Sequence, residues 1–189
     1  MQSARIAWIG LLLVLTTAWH ATPSAARDIF VRRNGNDNNN GLTSGQAFRT
    51  IQRALDVMRD GDTIYIGAGT YAENLFMSRS GVRTARIIGD VLGKKTGDRG
   101  PVIIAPPNPN AWGLLVYYAQ DFTIEDIEFH GPANSIRGDK RGYGVYLYAP
   151  YKDRKLTVRR VTAKNLRNGI QLYGNGDVKQ QAGSFVVDQ

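Results

Sequence analysis

Cysteine is absent from the 189-residue sequence, which excludes a disulfide scaffold, a zinc–thiolate site, a thiol nucleophile and a lipid-anchored cysteine. Histidine is nearly absent. His20 and His130 are the only two, one of them within the first 26 residues, which leaves almost no room for a histidine-based metal centre or a classical triad, and no metal ligands are assigned. The longest apolar run, Ile6 to Trp19, is shorter than the roughly 20 residues of a membrane-spanning helix. Acidic residues are outnumbered, 16 against 24 lysines and arginines, for a formal net charge of +8. That balance suits an anionic partner: nucleic acid, a membrane surface or an acidic polymer.

Residues 1–26 read as an export signal. Arg5 supplies the positive start, the apolar run follows, and Ser24-Ala25-Ala26 fits a small-x-small cleavage site. The mature chain is then expected to begin near Arg27, in a secreted or periplasmic location, with 23 basic against 16 acidic residues and a net +7. Export argues against nucleic acid as partner, and cleavage against stable membrane insertion. Without cysteine in an oxidising compartment, packing alone must supply stability.

Asp28 to Val31 is expected to be a strand that runs into the turn-forming segment Asn34 to Gly41. With Asp37 as its single carboxylate, that segment reads as a set of Asx turns rather than a calcium loop, which needs several. Thr50 as N-cap and Ile51, Ala54, Leu55 and Met58 at i, i+3, i+4 and i+7 predict one helix over 51–59, stopped near Gly61. A strand over 62–66 should end at Gly67 to Tyr71. Beyond it, short β-rich runs alternate with turns, and Gly93–Gly100 and Gly131–Gly142 read as solvated excursions.

The second half repeats itself. Phe122 to Phe129 aligns with Leu156 to Ala163, and Phe185 to Gln189 starts the pattern again. Companion runs begin with glycine: Gly113 to Tyr117, Gly144 to Tyr148 and Gly169 to Tyr173. Strands recurring in register at a near-constant period point to a parallel β-helix, a solenoid of stacked coils, rather than a sandwich. The register predicts inward columns of Leu114, Val145 and Ile170 and of Val116, Leu147 and Leu172. It predicts outward columns of Tyr117, Tyr148 and Tyr173 and of Glu125, Arg159 and Asp188. Asp126 and Arg160 should share a bend, and His130 should align with Lys164. The charged column is either a solvated ladder of ion pairs or a groove in which Arg159 meets a uronate. The tyrosines either stiffen the stack or offer a platform for sugar rings, since tyrosine has an apolar face and a polar tip.

Three segments carry a family resemblance: Ile29 to Asp37, Ala47 to Ala54, and Gly61-Asp-Thr-Ile-Tyr-Ile-Gly-Ala-Gly-Thr-Tyr71. Together they resemble the amino-terminal region of secreted pectate-lyase-like, right-handed parallel β-helix proteins. The resemblance implies an all-β solenoid over 27–189 with the helix at 51–59 capping its first coil. It also implies acidic polysaccharides such as pectate or alginate as partners. Lyases of this group abstract a proton beside a uronate carboxyl, with Arg or Lys as base, and calcium is a cofactor by resemblance only. Arg159 and Lys164 are the catalytic candidates, and Tyr117, Tyr148, Tyr173, His130 and Arg167 the substrate-binding ones. No family catalytic motif can be laid over them, and Phe129-His130-Gly131 only partly matches the Gly-His-Gly of the polygalacturonase branch.

The pattern breaks off at Asp188-Gln189 inside a strand repeat. The expectation is therefore a β-helix cut short, whose exposed end would otherwise need an oligomer partner. The function expected is binding, with cleavage by β-elimination as a further step, of acidic polysaccharide. The alternatives are a non-catalytic structural or glycan- or protein-binding module, and a non-functional remnant.

Overall fold

The computed structural model describes residues 25–78, 80–107, 112–117, 120–131, 142–148, 155–166 and 168–173. Residues 1–24 of the expected leader, Arg167 and the run from Phe185 to Gln189 lie outside the described residues. Strand β1 (Asp28–Val31) and helix α1 (Ile51–Val57) come first. The chain then passes four times through a set of three strands. These are β2 (Thr63–Ile66), β3 (Gly69–Tyr71) and β4 (Leu75–Ser78), then β5 (Thr84–Gly89), β6 (Val102–Ile104) and β7 (Trp112–Tyr117). Next are β8 (Asp121–Glu125), β9 (Glu128–His130) and β10 (Tyr143–Tyr148), and last β11 (Lys155–Arg159), β12 (Thr162–Lys164) and β13 (Asn168–Tyr173). Three sheets result, ordered β1-β2-β5-β8-β11, β3-β6-β9-β12 and β4-β7-β10-β13, and the strand pairings within them are parallel.

Alternation along each strand sends one set of side chains into a common core. Ile64, Ile66, Ile87, Ile104, Leu114, Val116, Ile124, Phe129 and Val145 are all buried there. The expected columns are present in the register: Val145 pairs with Leu114 and Ile170, and Leu147 with Val116 and Leu172. Helix α1 buries Ile51, Ala54 and Leu55 and packs against β1 and β4. The Thr50 hydroxyl accepts the Arg53 N–H, as expected of its N-cap.

Several local expectations need correction. The helix stops at Val57, not Arg59, because Met58 turns to an extended conformation and buries its side chain completely. The runs Phe122 to Phe129 and Leu156 to Ala163 are each two strands. Asp126 (φ 57°) and Arg160 (φ 48°) take left-handed conformations that turn the chain from one sheet to the next. Gly67 to Tyr71 contains β3, and β4 follows directly; strands of three and four residues carry too little alternation to stand out from turn sequence.

The Asn-rich segment does form Asx turns. Asn36 accepts the Asn38 N–H at 3.0 Å and Asn40 that of Leu42 at 2.9 Å, while Asp37 accepts the N–H groups of Arg49 and Thr50. The Gly93–Gly100 excursion is largely exposed or half-buried, as expected, but it is anchored on one buried carboxylate. Buried Asp90 accepts the N–H groups of Lys94, Lys95 and Thr96 at 2.6–2.9 Å and the Thr96 hydroxyl at 2.9 Å. The turn built on that carboxylate reaches back to the first strand and the residue after it. Lys95 bonds Asp28 at 2.8 Å, and Arg32 bonds Asp98 at 2.6 and 2.8 Å. Arg32 holds the Asp98 carboxyl below its ordinary value despite partial burial.

Asp90→Ala should therefore destabilise the protein by about 2–3 kcal/mol in urea unfolding, because three backbone donors lose their acceptor at once. A loss under about 0.5 kcal/mol, the range of an ordinary surface substitution, would contradict the strapping role.

Candidate functional site

The three sheets differ in what they turn outward. Strands β4, β7, β10 and β13 contain no charged residue; their sequences are LFMS, WGLLVY, YGVYLY and NGIQLY. Pairing aligns Phe76, Leu115, Tyr146 and Gln171 in one register column and Ser78, Tyr117, Tyr148 and Tyr173 in the next. Tyr117 and Tyr148 meet with tilted rings and centroids 5.0 Å apart, and Phe76 meets Tyr117 edge-on at 5.7 Å. A second pair, Trp112 and Tyr146, lies at 5.9 Å. Phe76 is 48% exposed and Trp112 37%, whereas Leu115, paired with Phe76 and Tyr146, is buried.

The first helix positions the edge of this face. Both oxygens of Glu73 accept backbone N–H groups of α1, from Ile51 at 3.1 Å and Gln52 at 2.9 Å. Burial outweighs these bonds and raises the Glu73 carboxyl above its ordinary value. The Gln52 side chain then bonds both the N–H and the carbonyl of Phe76 at 2.9 Å, occupying polar groups that the edge strand β4 would otherwise leave open.

The charged candidates lie on the other two sheets. Arg159 bonds Glu125 at 2.9 Å, and Arg160 bonds Asp126 at 2.5 and 2.7 Å. The Glu125 side chain is only 8% exposed, so this ladder neutralises a carboxylate shielded from water. On the second sheet, the Glu128 carboxylate is shared by Lys164 and His130 Nε2, each at 2.8 Å. Lys164 and His130 hold the Glu128 carboxyl below its ordinary value against the effect of burial.

The structure thus brings Tyr117 and Tyr148 together and aligns Tyr173 beside Tyr148 in backbone register. His130 aligns with Lys164 as expected, but this pair and Arg159 sit on sheets other than the tyrosine face. Arg167 lies outside the described residues. Sequence reasoning missed Phe76, Trp112 and Tyr146. Tyr146 was findable, since it stands two positions before Tyr148 and alternation puts both on one face. Calcium does not fit the described residues. The carboxylates near the bend are each bonded to a cation, and no group of three or more His, Asp or Glu gathers around one point among the described residues. No helix among the described residues is long and apolar enough to cross a membrane.

These features define a mostly-β protein built of parallel sheets. A family profile described as "Protein of unknown function (DUF1565)" matches residues 33–110, from the Asn-rich turns to just beyond β6. No curated protein is a significant match. Two crystal structures of the GH136 lacto-N-biosidase from Eubacterium ramulus are similar in fold. The selenomethionine derivative gives a TM-score of 0.60 and the native protein 0.57, each at 12% identity over 84% of this chain and 32% of that one. This chain therefore spans about a third of that β-helix protein's length, and at such identity the likeness is one of fold.

The Glu128 cluster makes a prediction. A depressed carboxyl contributes stability that is complete above its unfolded pKa, about 4.3 for Glu, and is lost as pH falls through its lower folded value. Melting temperature measured from pH 6 downward should fall less steeply for Glu128→Gln than for the wild type. Parallel curves would mean that the pairing contributes nothing.

Proposed function

We propose that this chain is an exported, right-handed parallel β-helix of the pectate-lyase-like kind that binds glycan through the outer face of β4-β7-β10-β13. In this reading α1 covers the first coil of the solenoid. The observation that carries the proposal is the gathering of Phe76, Trp112, Tyr117, Tyr146 and Tyr148 on one face whose strands hold no charge. Aromatic rings offer apolar surface to the C–H faces of a pyranose, and tyrosine adds a polar tip for sugar hydroxyls. Successive strands lie about 4.8 Å apart, close to the length of one sugar residue. The glycosidase neighbour supports a glycan-related role.

The preferred ligand is an acidic polysaccharide such as pectate or alginate. The expected mature charge of +7 would draw a polyanion from a distance, while the aromatic face supplies the short-range contact. β-Elimination is not part of the proposal. Arg159 and Lys164 are bonded to Glu125 and Glu128 on other sheets, so neither is presented as a base to a sugar stacked on the tyrosines. The protein acts, in this account, as a binding module.

Affinity electrophoresis in pectate or alginate gels tests it. Tyr148→Ala should weaken binding about tenfold, the size of one lost aromatic contact of about 1.4 kcal/mol. Added salt should weaken the wild type further. Retention unchanged by the substitution would overturn the platform. Trp112 is the one tryptophan beyond the first 26 residues, so its fluorescence should also change on titration with the same polymers.

A further inference from the structure

Asp62, immediately before β2, is a buried carboxylate, only 1% exposed, and most of its bonds come from Arg27. The backbone nitrogen of Arg27 lies 2.8 Å from Asp62 Oδ1. The Arg27 guanidinium reaches Oδ2, with Nη2 at 2.6 Å and Nε at 3.1 Å. The Arg59 N–H donates to Oδ2 at 2.9 Å. Arg27 is further fixed by Nη2 on the Val57 carbonyl at 3.1 Å and by the Thr63 N–H on its own carbonyl at 2.9 Å. Ala25 and Ala26, immediately before it, are exposed.

We propose that Asp62 is the receptor for a free α-amino group on Arg27, produced when a peptidase hydrolyses the Ala26–Arg27 bond. The inference rests on the export reading of the leader. Hydrolysis adds one water across the peptide bond, leaving a carboxylate on Ala26 and an amine on Arg27 that takes up a proton at neutral pH. The atom already 2.8 Å from Asp62 thereby changes from an amide donor to an ammonium. The resulting bond is charge-assisted on both sides, and such bonds are roughly twice as strong as neutral ones. The Arg27 nitrogen lies on Oδ1 and Nη2 on Oδ2, while Nε spans both oxygens at 3.3 and 3.1 Å, so the carboxylate has an oxygen close to each cationic group. Removal of the leader thus completes the site rather than exposing it, and the processed chain is the more stable form.

The exported protein supplies the first test: its intact mass should correspond to a chain beginning at Arg27. A different amino terminus would overturn the proposal. The second compares melting temperatures of that chain with a version acetylated at the Arg27 nitrogen and one retaining Ala25-Ala26. Both should melt about 2–4 °C lower, and equal melting temperatures would overturn it. In Asp62→Asn the difference should vanish; a difference that persists would assign the effect elsewhere. Should that variant fail to fold, reductive methylation decides. The α-amine of the folded wild type should react about tenfold more slowly than that of a short Arg-Asp-Ile-Phe peptide, and an equal rate would contradict capture. None of these readouts involves glycan, so failure here leaves the binding proposal standing.

Discussion

Backbone hydrogen bonding between strands one circuit apart governs where most described side chains of this protein lie. A parallel strand must pair with the equivalent strand of the circuit before it, and a slip of one residue would turn its core face outward. Variation is therefore confined to the connections, which can be as short as the two residues between β8 and β9 or as long as the strapped turn after Gly89. The same constraint multiplies whatever a strand presents outward. One tyrosine at the end of β7 becomes a pair with the next strand, and one acidic residue at the end of β8 faces an arginine one circuit on.

Chemistry separates by sheet as a result. Two faces carry carboxylates paired with cations, and the third carries rings. Ion pairs on the first sheets are mutually satisfied. Glu125 would be an uncompensated buried charge without Arg159 and Arg160, so these arginines serve the fold first. The aromatic face is organised differently: helix α1 closes its edge through Gln52, and Glu73 ties the helix to the turn that leads into β4. A platform next to a closed edge can take a ligand without inviting another strand.

Much of this was legible in the sequence because the repeat is a statement about register. The columns of Leu114, Val145 and Ile170, the Tyr117–Tyr148 pair, the Glu125–Arg159 pair and the alignment of His130 with Lys164 all follow from aligning the copies of the two repeated patterns. What the sequence hid falls outside the repeat or below its resolution. Phe76 belongs to a four-residue strand before the clear copies begin, and Trp112 joins the face only through its contact with Tyr146. The role of Asp90 is a matter of backbone donors converging on one carboxylate, and no residue pattern announces that. The repeat anticipated these ion pairs, but not that Arg159 and Lys164 stand on sheets other than that of the tyrosines. Charge counts say nothing about which sheet receives each arginine, and the pairing across circuits consumes those nearest the bend.

Contact between sugar and the aromatic face is the central claim. The most direct measurement is an NMR titration that follows aromatic side-chain signals as defined oligogalacturonates or oligoalginates are added. The shifts should concentrate on Trp112, Tyr146, Tyr148, Tyr117 and Phe76 and saturate together. Shifts centred on His130, or no saturable change in any ring with either sugar series, would contradict it.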